Sequence, residues 1–205
     1  ATHGVGAGFV YWLQDLYAPA LADALDRRSR TAARLAGPLA RRVEAGALAA
    51  SDGVVAISSD FADTALRAGA APEHIHTIPN WAPPLDLPAD DGAAWRAAHG
   101  LTGRFVALYA GTLGQKHDPE AVAALARHWD GDPGAVVVVA SQGPGRAYLE
   151  AVRAREGLTN LQLMDFRPYA ELPAALRAAD VLLALLSPAG GGYAVPSKVL
   201  TALRS

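Results

Sequence analysis

The sequence predicts an α/β protein with parallel sheets. In the second half of the chain, apolar and β-capable segments alternate with helical ones; the segments predicted as strands are 105–110, 135–141, 161–164 and 181–186. Three of these strands run into glycine-rich turns, which begin at Gly111, Gln142 and Ser187. Strands joined by helical crossovers of ordinary length need a parallel sheet that is covered on both faces.

Composition narrows the class of protein. The chain has 205 residues, of which 51% are hydrophobic and 19% charged, and this balance is typical of a globular protein. A formal charge of -2 argues against a nucleic-acid partner, and the lack of cysteine excludes disulfides and thiolate chemistry. No apolar run approaches the ~20 residues that span a bilayer, and there is no signal-peptide pattern, so we expect a cytoplasmic protein. The abrupt start at Ala1 and the end within a helical pattern suggest part of a longer chain.

The first predicted strand, residues 9–16, is aromatic and β-branched and ends at Gln14 and Asp15. Catalytic and substrate-binding groups collect at the carboxyl ends of parallel strands, which makes Asp15 a candidate site residue. The alternative is that Asp15 caps the helix that follows.

Residues 18–50 have a helical pattern with a predicted break near Gly37 and Pro38. This is the most basic part of the chain, with arginines at 27, 28, 30, 34, 41 and 42. A positive helical face could meet an anionic membrane surface or a phosphate-bearing acceptor. Alternatively, it is a solvated face whose arginines pair with Asp and Glu.

Short elements complete the first half. A buried strand at 54–57 is followed by a helix at 61–68, which Ser58–Asp60 can cap. His74 and His76 are predicted to share one face of the next short strand, but no third ligand lies nearby to complete a metal site. Residues 79–92 are rich in proline and aspartate without periodicity, which predicts a linker or hinge.

The segment that carries most chemistry is Phe105–Lys116, in which a strand breaks at Gly111 and Gly114 before a helix that starts near Asp118. Glycines allow backbone to approach a phosphate closely, N–H groups at a helix start favour negative charge, and Lys116 adds a cation. We therefore expect this turn to hold the diphosphate of a sugar nucleotide.

A second candidate segment has three consecutive glycines, 190–192, ahead of a helix that opens with Pro196, Ser197 and Lys198. Proline suits a first helical turn, the glycines expose N–H groups to an anion, and Lys198 supplies charge. The alternative is a flexible connection. A P-loop and a serine-hydrolase elbow are both excluded, because neither G-x-x-x-x-G-K-[ST] nor G-x-S-x-G occurs.

Several segments, in this order along the chain, resemble bacterial family-4 retaining glycosyltransferases, and in particular the branch that builds O-antigen, capsule and colanic acid, including aminosugar transferases. The segments are WLQDLY (12–17), DGVVAISSDFADTALRAGAAPEHIHTIPNW (52–81), YAGTLGQKH (109–117), GPGR (143–146), LPAALRAADVLLALL (172–186) and VPSKVL (195–200).

The resemblance implies two Rossmann-like domains that face each other across a cleft. Residues 1–80 would be the last part of an incomplete, acceptor-side N-terminal domain, and residues 81–94 the hinge. Residues 95–205 would form a nucleotide-sugar-binding domain that is truncated at its C-terminus.

The resemblance also implies roles for individual residues. The donor phosphates would meet the first glycine turn, and the sugar and diphosphate would meet the 190–198 segment. The base would lie near residues 166–168. The implied donor-binding residues are Gly111, Thr112, Gly114, Gly143, Arg167, Gly191, Gly192, Tyr193 and Ser197. The chain departs from the family at Thr112, where many members carry arginine, and at Tyr193 and Thr201, where many carry glutamate.

The predicted reaction is transfer of a sugar, with retention, from a UDP-sugar to a glycan or lipid-linked acceptor in cell-surface polysaccharide biosynthesis. Lys116 and Lys198 would stabilise the departing diphosphate, and Asp15 would orient the acceptor. Neither a metal nor a cofactor is predicted; the predicted partners are the donor, the acceptor and a peripheral membrane surface. The alternatives are a sugar-nucleotide epimerase of the same architecture and a non-catalytic module that binds nucleotide sugar.

Overall fold

The computed structural model describes residues 6–26, 28–82, 84, 92–114, 116–188 and 190–205. The chain divides into two compact units. Unit 1 contains Ala1–Trp81 and Pro188–Val195, and unit 2 contains Ala82–Ser187 and Pro196–Ser205. Most of the predicted hinge, and Arg27 of the basic segment, lie outside the described residues.

Unit 1 contains a parallel sheet of three strands in the order β1-β2-β3. The strands are β1 (Val10–Leu13), β2 (Gly53–Ala56) and β3 (Ile75–Thr77), and the helices are α1 (Tyr17–Asp26), α2 (Arg30–Ala49) and α3 (Ser59–Arg67). Leu13, Val54 and Ala56 are fully buried, and Phe61 is nearly so.

The helical segment of unit 1 breaks earlier than predicted. The break near Gly37 and Pro38 is wrong, because α2 runs through Pro38 without interruption. The two helices separate before Arg30, where the Ser29 side chain accepts the N–H of Ala32 and begins α2. Gly37 is buried at the contact with Ala22 of α1, so packing between the helices offsets the helix-breaking cost of proline.

The prediction that His74 and His76 share a strand face is also wrong. His74 ends a short 3₁₀ turn, Pro72–His74, and β3 begins only at Ile75. Its Nδ1 lies 3.2 Å from the carbonyl oxygen of Ser51. The proline at the start of the turn accounts for the helical geometry.

Unit 2 contains a parallel sheet of four strands in the order β6-β5-β4-β7. Its strands are β4 (Phe105–Ala110), β5 (Ala135–Ala140), β6 (Leu161–Met164) and β7 (Val181–Leu182). Its helices are α4 (Ala93–Ala98), α5 (Pro119–His128), α6 (Pro144–Glu156), α7 (Leu172–Arg177) and α8 (Ser197–Arg204). The predicted α/β class and the parallel sheets are therefore confirmed.

Both faces of the unit 2 sheet are covered. On one face Tyr109, Val137 and Val139 pack with residues of α5 and α6, such as Val122 and Leu149. On the other face Val106, Leu108, Val136 and Val138 pack with Trp95 of α4 and Ala175 of α7. All six residues of β5 are buried, as a central parallel strand requires.

The last strand is shorter than predicted. β7 pairs with β4 only at Val181 and Leu182, whereas the sequence predicts a strand to residue 186. Leu183 still donates its N–H to Leu108, but farther along the N–H of Ser187 donates to the carbonyl oxygen of Lys116. The chain thus leaves the sheet to meet the loop that follows β4. No helix in the described parts of the chain is both long enough and apolar enough to cross a bilayer.

Candidate functional site

The candidate site lies at the carboxyl edge of the unit 2 sheet, where β4 ends at Ala110. Residues 111–114, here called the glycine loop, follow directly. The N–H of Gly111 donates to Ala140, the last residue of the neighbouring β5, at 3.0 Å. In open parallel sheets this edge is where ligands bind.

The glycine loop is held by hydrogen bonds along its whole length. The N–H of Leu113 donates to the carbonyl of Gln142 at 3.0 Å, and the N–H of Gly114 donates to Nδ1 of His117 at 2.9 Å. The buried Tyr109 hydroxyl donates to the carbonyl of Thr112 at 2.9 Å. The N–H groups of Gly111 and Gly114 are both engaged within the protein, and contacts of these two glycines with a donor stay predictions.

The start of α5 does not offer an open helix end either. Pro119 has no N–H, and the Asp118 carboxylate accepts the N–H of Glu120 at 3.1 Å. A carboxylate at this position already complements the helix dipole. The N–H of Glu120 is therefore already occupied.

Lys198, on α8, supplies a positive charge. A Cβ placed on Gly111 would lie 2.6 Å from Cε and 3.2 Å from Nζ of Lys198, so the lysine packs directly against the glycine backbone. The φ of Gly111 is 130°, a conformation that favours glycine independently of this contact. Nζ also lies 5.2 Å from the ring centroid of Tyr109, within cation–π range.

Lys116 brings a second positive charge within electrostatic range of Lys198. Burial, followed by the positive charge of Lys116, lowers the pKa of Lys198 below its ordinary value. These are the only two lysines among the 18 basic residues of the sequence. The fold thus brings both lysines to one loop, although like charges repel, and such an arrangement is typical of a site for an anion.

A small cavity of about 110 Å³ adjoins the glycine loop. It is lined by Ala110, Gly111, Ala140, Phe166, Arg167, Tyr169 and Leu172. Arg167 is held in place because its Nε donates to the carbonyl of Asp165 at 3.0 Å and its Nη1 lies 3.5 Å from Glu171. Aromatic rings and a guanidinium plane can stack on a flat heterocycle, so this cavity suits a nucleobase.

Gly143, a predicted donor-binding residue, occupies a position where the backbone and its neighbours favour glycine. Gly143 has a φ of 100°, and a Cβ there would lie 3.3 Å from the carbonyl oxygen of Leu113. At Gly145, which donates its N–H to the same oxygen, a Cβ would lie 2.5 Å from Cγ of Leu113. The start of α6 therefore packs directly against Leu113 of the glycine loop. A donor contact of Gly143 stays a prediction.

Four predicted site residues belong to unit 1: Asp15, Gly191, Gly192 and Tyr193. Asp15 forms an antiparallel bridge with Ala194, and Leu16 donates its N–H to the carbonyl of Tyr193 at 3.0 Å. Tyr193 is 5% exposed, and its hydroxyl donates to Asp23 at 3.2 Å. Gly190–Gly192 form a short 3₁₀ turn. Their contacts with a donor or an acceptor stay predictions.

The first N–H groups of α1 donate to a carboxylate of α2. The carboxylate of Glu44 accepts the N–H of Tyr17 at 2.7 Å and that of Ala18 at 3.2 Å. Glu44 thus accepts two N–H groups at the start of α1, and a capping role of Asp15 stays a prediction.

Two contributors near the glycine loop were missed, Tyr109 and His117, whereas Thr201 was named only as a departure from the family. Tyr109 and His117 hold the glycine loop, and Thr201 lines a second cavity of about 90 Å³ together with Lys198. Lys116 and Lys198, which were both expected to meet the diphosphate, lie within electrostatic range of each other. In the described residues, no group of three or more His, Asp or Glu side chains is arranged to hold a metal ion.

The two curated proteins that match this chain are both named as glycosyltransferases. No family model matches the chain. The chain is 28% identical over 169 residues to WcaI of Escherichia coli K12, named as a colanic acid biosynthesis glycosyl transferase. It is 32% identical over 163 residues to the 2-deoxystreptamine glucosyltransferase of Streptomyces kanamyceticus. These alignments cover 80% and 75% of this chain but 41% of either relative, so the chain spans about two fifths of their length.

Solved structures of similar fold include glycosyltransferases as well. The crystal structure of Anabaena HepE with UDP and glucose matches with a TM-score of 0.64 and 19% identity, over 88% of this chain and 47% of HepE. WaaG, a glycosyltransferase involved in lipopolysaccharide biosynthesis, matches with a TM-score of 0.58 and 18% identity, over 75% of this chain and 42% of WaaG. The chain therefore has the α/β fold of two-Rossmann-like glycosyltransferase structures, with its parallel sheets in two sets.

Proposed function

We propose that this chain is part of a retaining glycosyltransferase that takes a sugar from a UDP-sugar and passes it to a glycan or lipid-linked acceptor. The observation that carries the proposal is the packing of Lys198 against Gly111, within range of the charge of Lys116 and beside a cavity with aromatic walls. Unit 2 would hold the donor and unit 1 the acceptor. HepE was crystallised with UDP, WcaI is named for colanic acid biosynthesis, and WaaG is involved in lipopolysaccharide biosynthesis; these similarities support this donor and this acceptor class.

The chemical step in this proposal is departure of UDP from the anomeric carbon. Negative charge builds on the bridging oxygen and the diphosphate, and the two lysines lie where they can neutralise it. Each charge-assisted hydrogen bond contributes about 1.5 to 3 kcal/mol. The base would occupy the 110 Å³ cavity between Phe166 and Tyr169, so that the diphosphate extends along the glycine loop to Lys198. We place the chain in the family-4 branch that builds O-antigen, capsule and colanic acid.

Calorimetric titration with UDP tests the donor site. Lys116→Ala and Lys198→Gln should each weaken UDP binding about ten- to a hundredfold, because each removes one cation from the diphosphate. Arg204→Gln is the matched control, since it removes the same charge from an exposed position of α8, outside the cavities near the glycine loop. Uridine, which lacks phosphates, should bind the lysine variants and the unmodified protein equally. If both lysine variants bind UDP with unchanged affinity, the diphosphate does not bind at this loop.

Product analysis separates the transferase from its nearest rival. With an acceptor present, a transferase releases UDP and forms a glycoside, whereas a sugar-nucleotide epimerase interconverts the donor without needing an acceptor. The configuration of the new glycosidic bond, followed by NMR, should match that of the donor. An inverted product would contradict the retaining mechanism but leave the donor site intact.

A further inference from the structure

Arg146, the arginine of the GPGR turn, joins the carboxyl ends of two neighbouring strands. It lies in the first turn of α6, and its Nη1 donates to the carbonyl oxygen of Met164, the last residue of β6, at 3.1 Å. The same nitrogen lies 3.4 Å from the carbonyl oxygen of Ser141, which directly follows β5. One guanidinium therefore contacts both strands where they reach the ligand-binding edge of the sheet.

Two carboxylates fix the orientation of this guanidinium. Nη1 donates to Oδ1 of Asp165 at 2.5 Å, and Nε donates to Oε1 of Glu150, one turn farther along α6, at 3.0 Å. The Asp165 side chain is 82% exposed, so this ion pair adds little to the stability of the fold. A rigid, planar group with several oxygen partners is nevertheless held in one orientation. The contacts of Arg146 therefore fix a position more than they stabilise the fold.

The contact between Arg146 and Asp165 reaches the cavity beside the glycine loop through Arg167. The carbonyl oxygen of Asp165 accepts Nε of Arg167 at 3.0 Å. Arg167 lines the 110 Å³ cavity together with Phe166 and Tyr169, whereas Arg146 is not among the described residues of its lining. An effect of Arg146 on a ligand in this cavity must therefore pass through the residues that it holds.

We propose that Arg146 is a positioning residue for the nucleobase of the donor, which acts by holding Asp165 and thereby Arg167 at the cavity wall. This inference rests on the proposed function and adds a residue to its donor site. Groups that are already ordered before binding give a higher affinity, because less ordering is needed when the ligand arrives. The rival is a purely structural role, in which an arginine that only fastens α6 to the sheet affects base and diphosphate alike.

Calorimetric titration with UDP and with inorganic pyrophosphate separates these two roles. Arg146→Gln should weaken UDP binding about five- to tenfold and leave pyrophosphate binding unchanged, because only the base loses an ordered contact. Lys198→Gln should weaken the binding of both ligands. The matched control is Arg153→Gln, which removes an exposed arginine from the same helix and should bind both ligands as the unmodified chain does. Unchanged pyrophosphate binding also shows that Arg146→Gln is folded.

A double-mutant cycle tests whether Arg146 acts through Arg167. Arg167→Gln removes the guanidinium from the cavity wall, so that Arg146 has nothing left to position. In that background Arg146→Gln should weaken UDP binding by less than about twofold. Two residues that act independently would instead give the full loss in both backgrounds.

Three results overturn this inference: unchanged UDP affinity in Arg146→Gln, an equal loss of UDP and pyrophosphate binding, or full additivity with Arg167→Gln. A chain that does not bind UDP at all overturns the proposed function and this inference together. UDP binding that depends on Lys198 but not on Arg146 overturns this inference alone.

Discussion

At the scale of single residues, the donor proposal depends on the state of Lys198. Its amine is partly buried, lies against Gly111 and the Tyr109 ring, and experiences the charge of Lys116. Burial and a like charge both disfavour the protonated form, whereas a bound diphosphate favours it. Binding of an anion should therefore be coupled to the protonation of this one group.

We expect UDP affinity to fall with rising pH at a lower pH than an ordinary lysine would require. Well below its pKa, Lys198 is charged in both free and bound protein. As the pH rises through the lowered pKa, the free protein loses the proton and binding must take one up, which weakens affinity by up to about tenfold per pH unit. Calorimetry between pH 7 and 10, in buffers of different ionisation enthalpy, measures both the affinity and the proton uptake.

The variant Lys198→Gln provides the control for this pH dependence. It should bind UDP more weakly at pH 7, and the component of the pH dependence due to residue 198 should disappear. A variant whose affinity still falls with the same profile would show that another group takes up the proton.

At the scale of elements, the start of α6 serves as the support of the glycine loop. Alanine is normally favoured over glycine inside helices by about 1 kcal/mol. At Gly145 this preference is outweighed, because a Cβ would lie 2.5 Å from Cγ and 2.7 Å from the carbonyl oxygen of Leu113. Gly46 in α2 is the reverse case, since a Cβ there meets no other atom within 4 Å.

These two glycines make a matched pair. Gly145→Ala should lower the free energy of unfolding by about 1–3 kcal/mol through overpacking and should also weaken UDP binding by displacing Leu113. Gly46→Ala should raise the free energy of unfolding by about 0.5–1 kcal/mol and leave UDP binding unchanged. Urea denaturation and calorimetry provide the two measurements. Equal effects at the two positions would contradict the tight contact between α6 and the glycine loop.

At the scale of the whole molecule, the two units differ in the charged groups they present. Unit 1 concentrates arginine on α2, and unit 2 contains both lysines, near the edge of its sheet. The net charge of -2 hides this arrangement, because it averages over both units. Ligand effects should accordingly be confined to one unit.

We expect UDP to stabilise unit 2 selectively. At 100 times its Kd, a ligand adds about 2.7 kcal/mol to the stability of the state that binds it. Hydrogen exchange measured by mass spectrometry should show UDP-dependent protection at residues 109–117, 165–169 and 196–202. Protection should be absent from α1 and α2, and Lys198→Gln should reduce the effect. Protection confined to unit 1 would place the nucleotide elsewhere.

The sequence by itself determined the class of fold and the order of its elements. Its signals are local, because side-chain periodicity and backbone φ depend on a few neighbouring residues. Examples are the apolar run of β5, the glycine after β4 and the proline before α8. Local signals also placed Lys116 and Lys198 at the carboxyl ends of strands. At Pro38 the helical pattern of the segment conflicted with the helix-breaking tendency of proline, and packing between α1 and α2 decided the outcome.

Only the tertiary structure decided which groups meet. In the folded chain, N–H groups of the glycine loop donate to Ala140, Gln142 and His117. Glu44 accepts an N–H of the first turn of α1. Lys198 packs against Gly111, within range of the charge of Lys116. These contacts join residues from different elements or from both sides of a turn, and each depends on how close packing orients side chains. Periodicity and composition carry no record of such distances, so the contacts within the site, unlike its position and its two lysines, could not be worked out from the sequence.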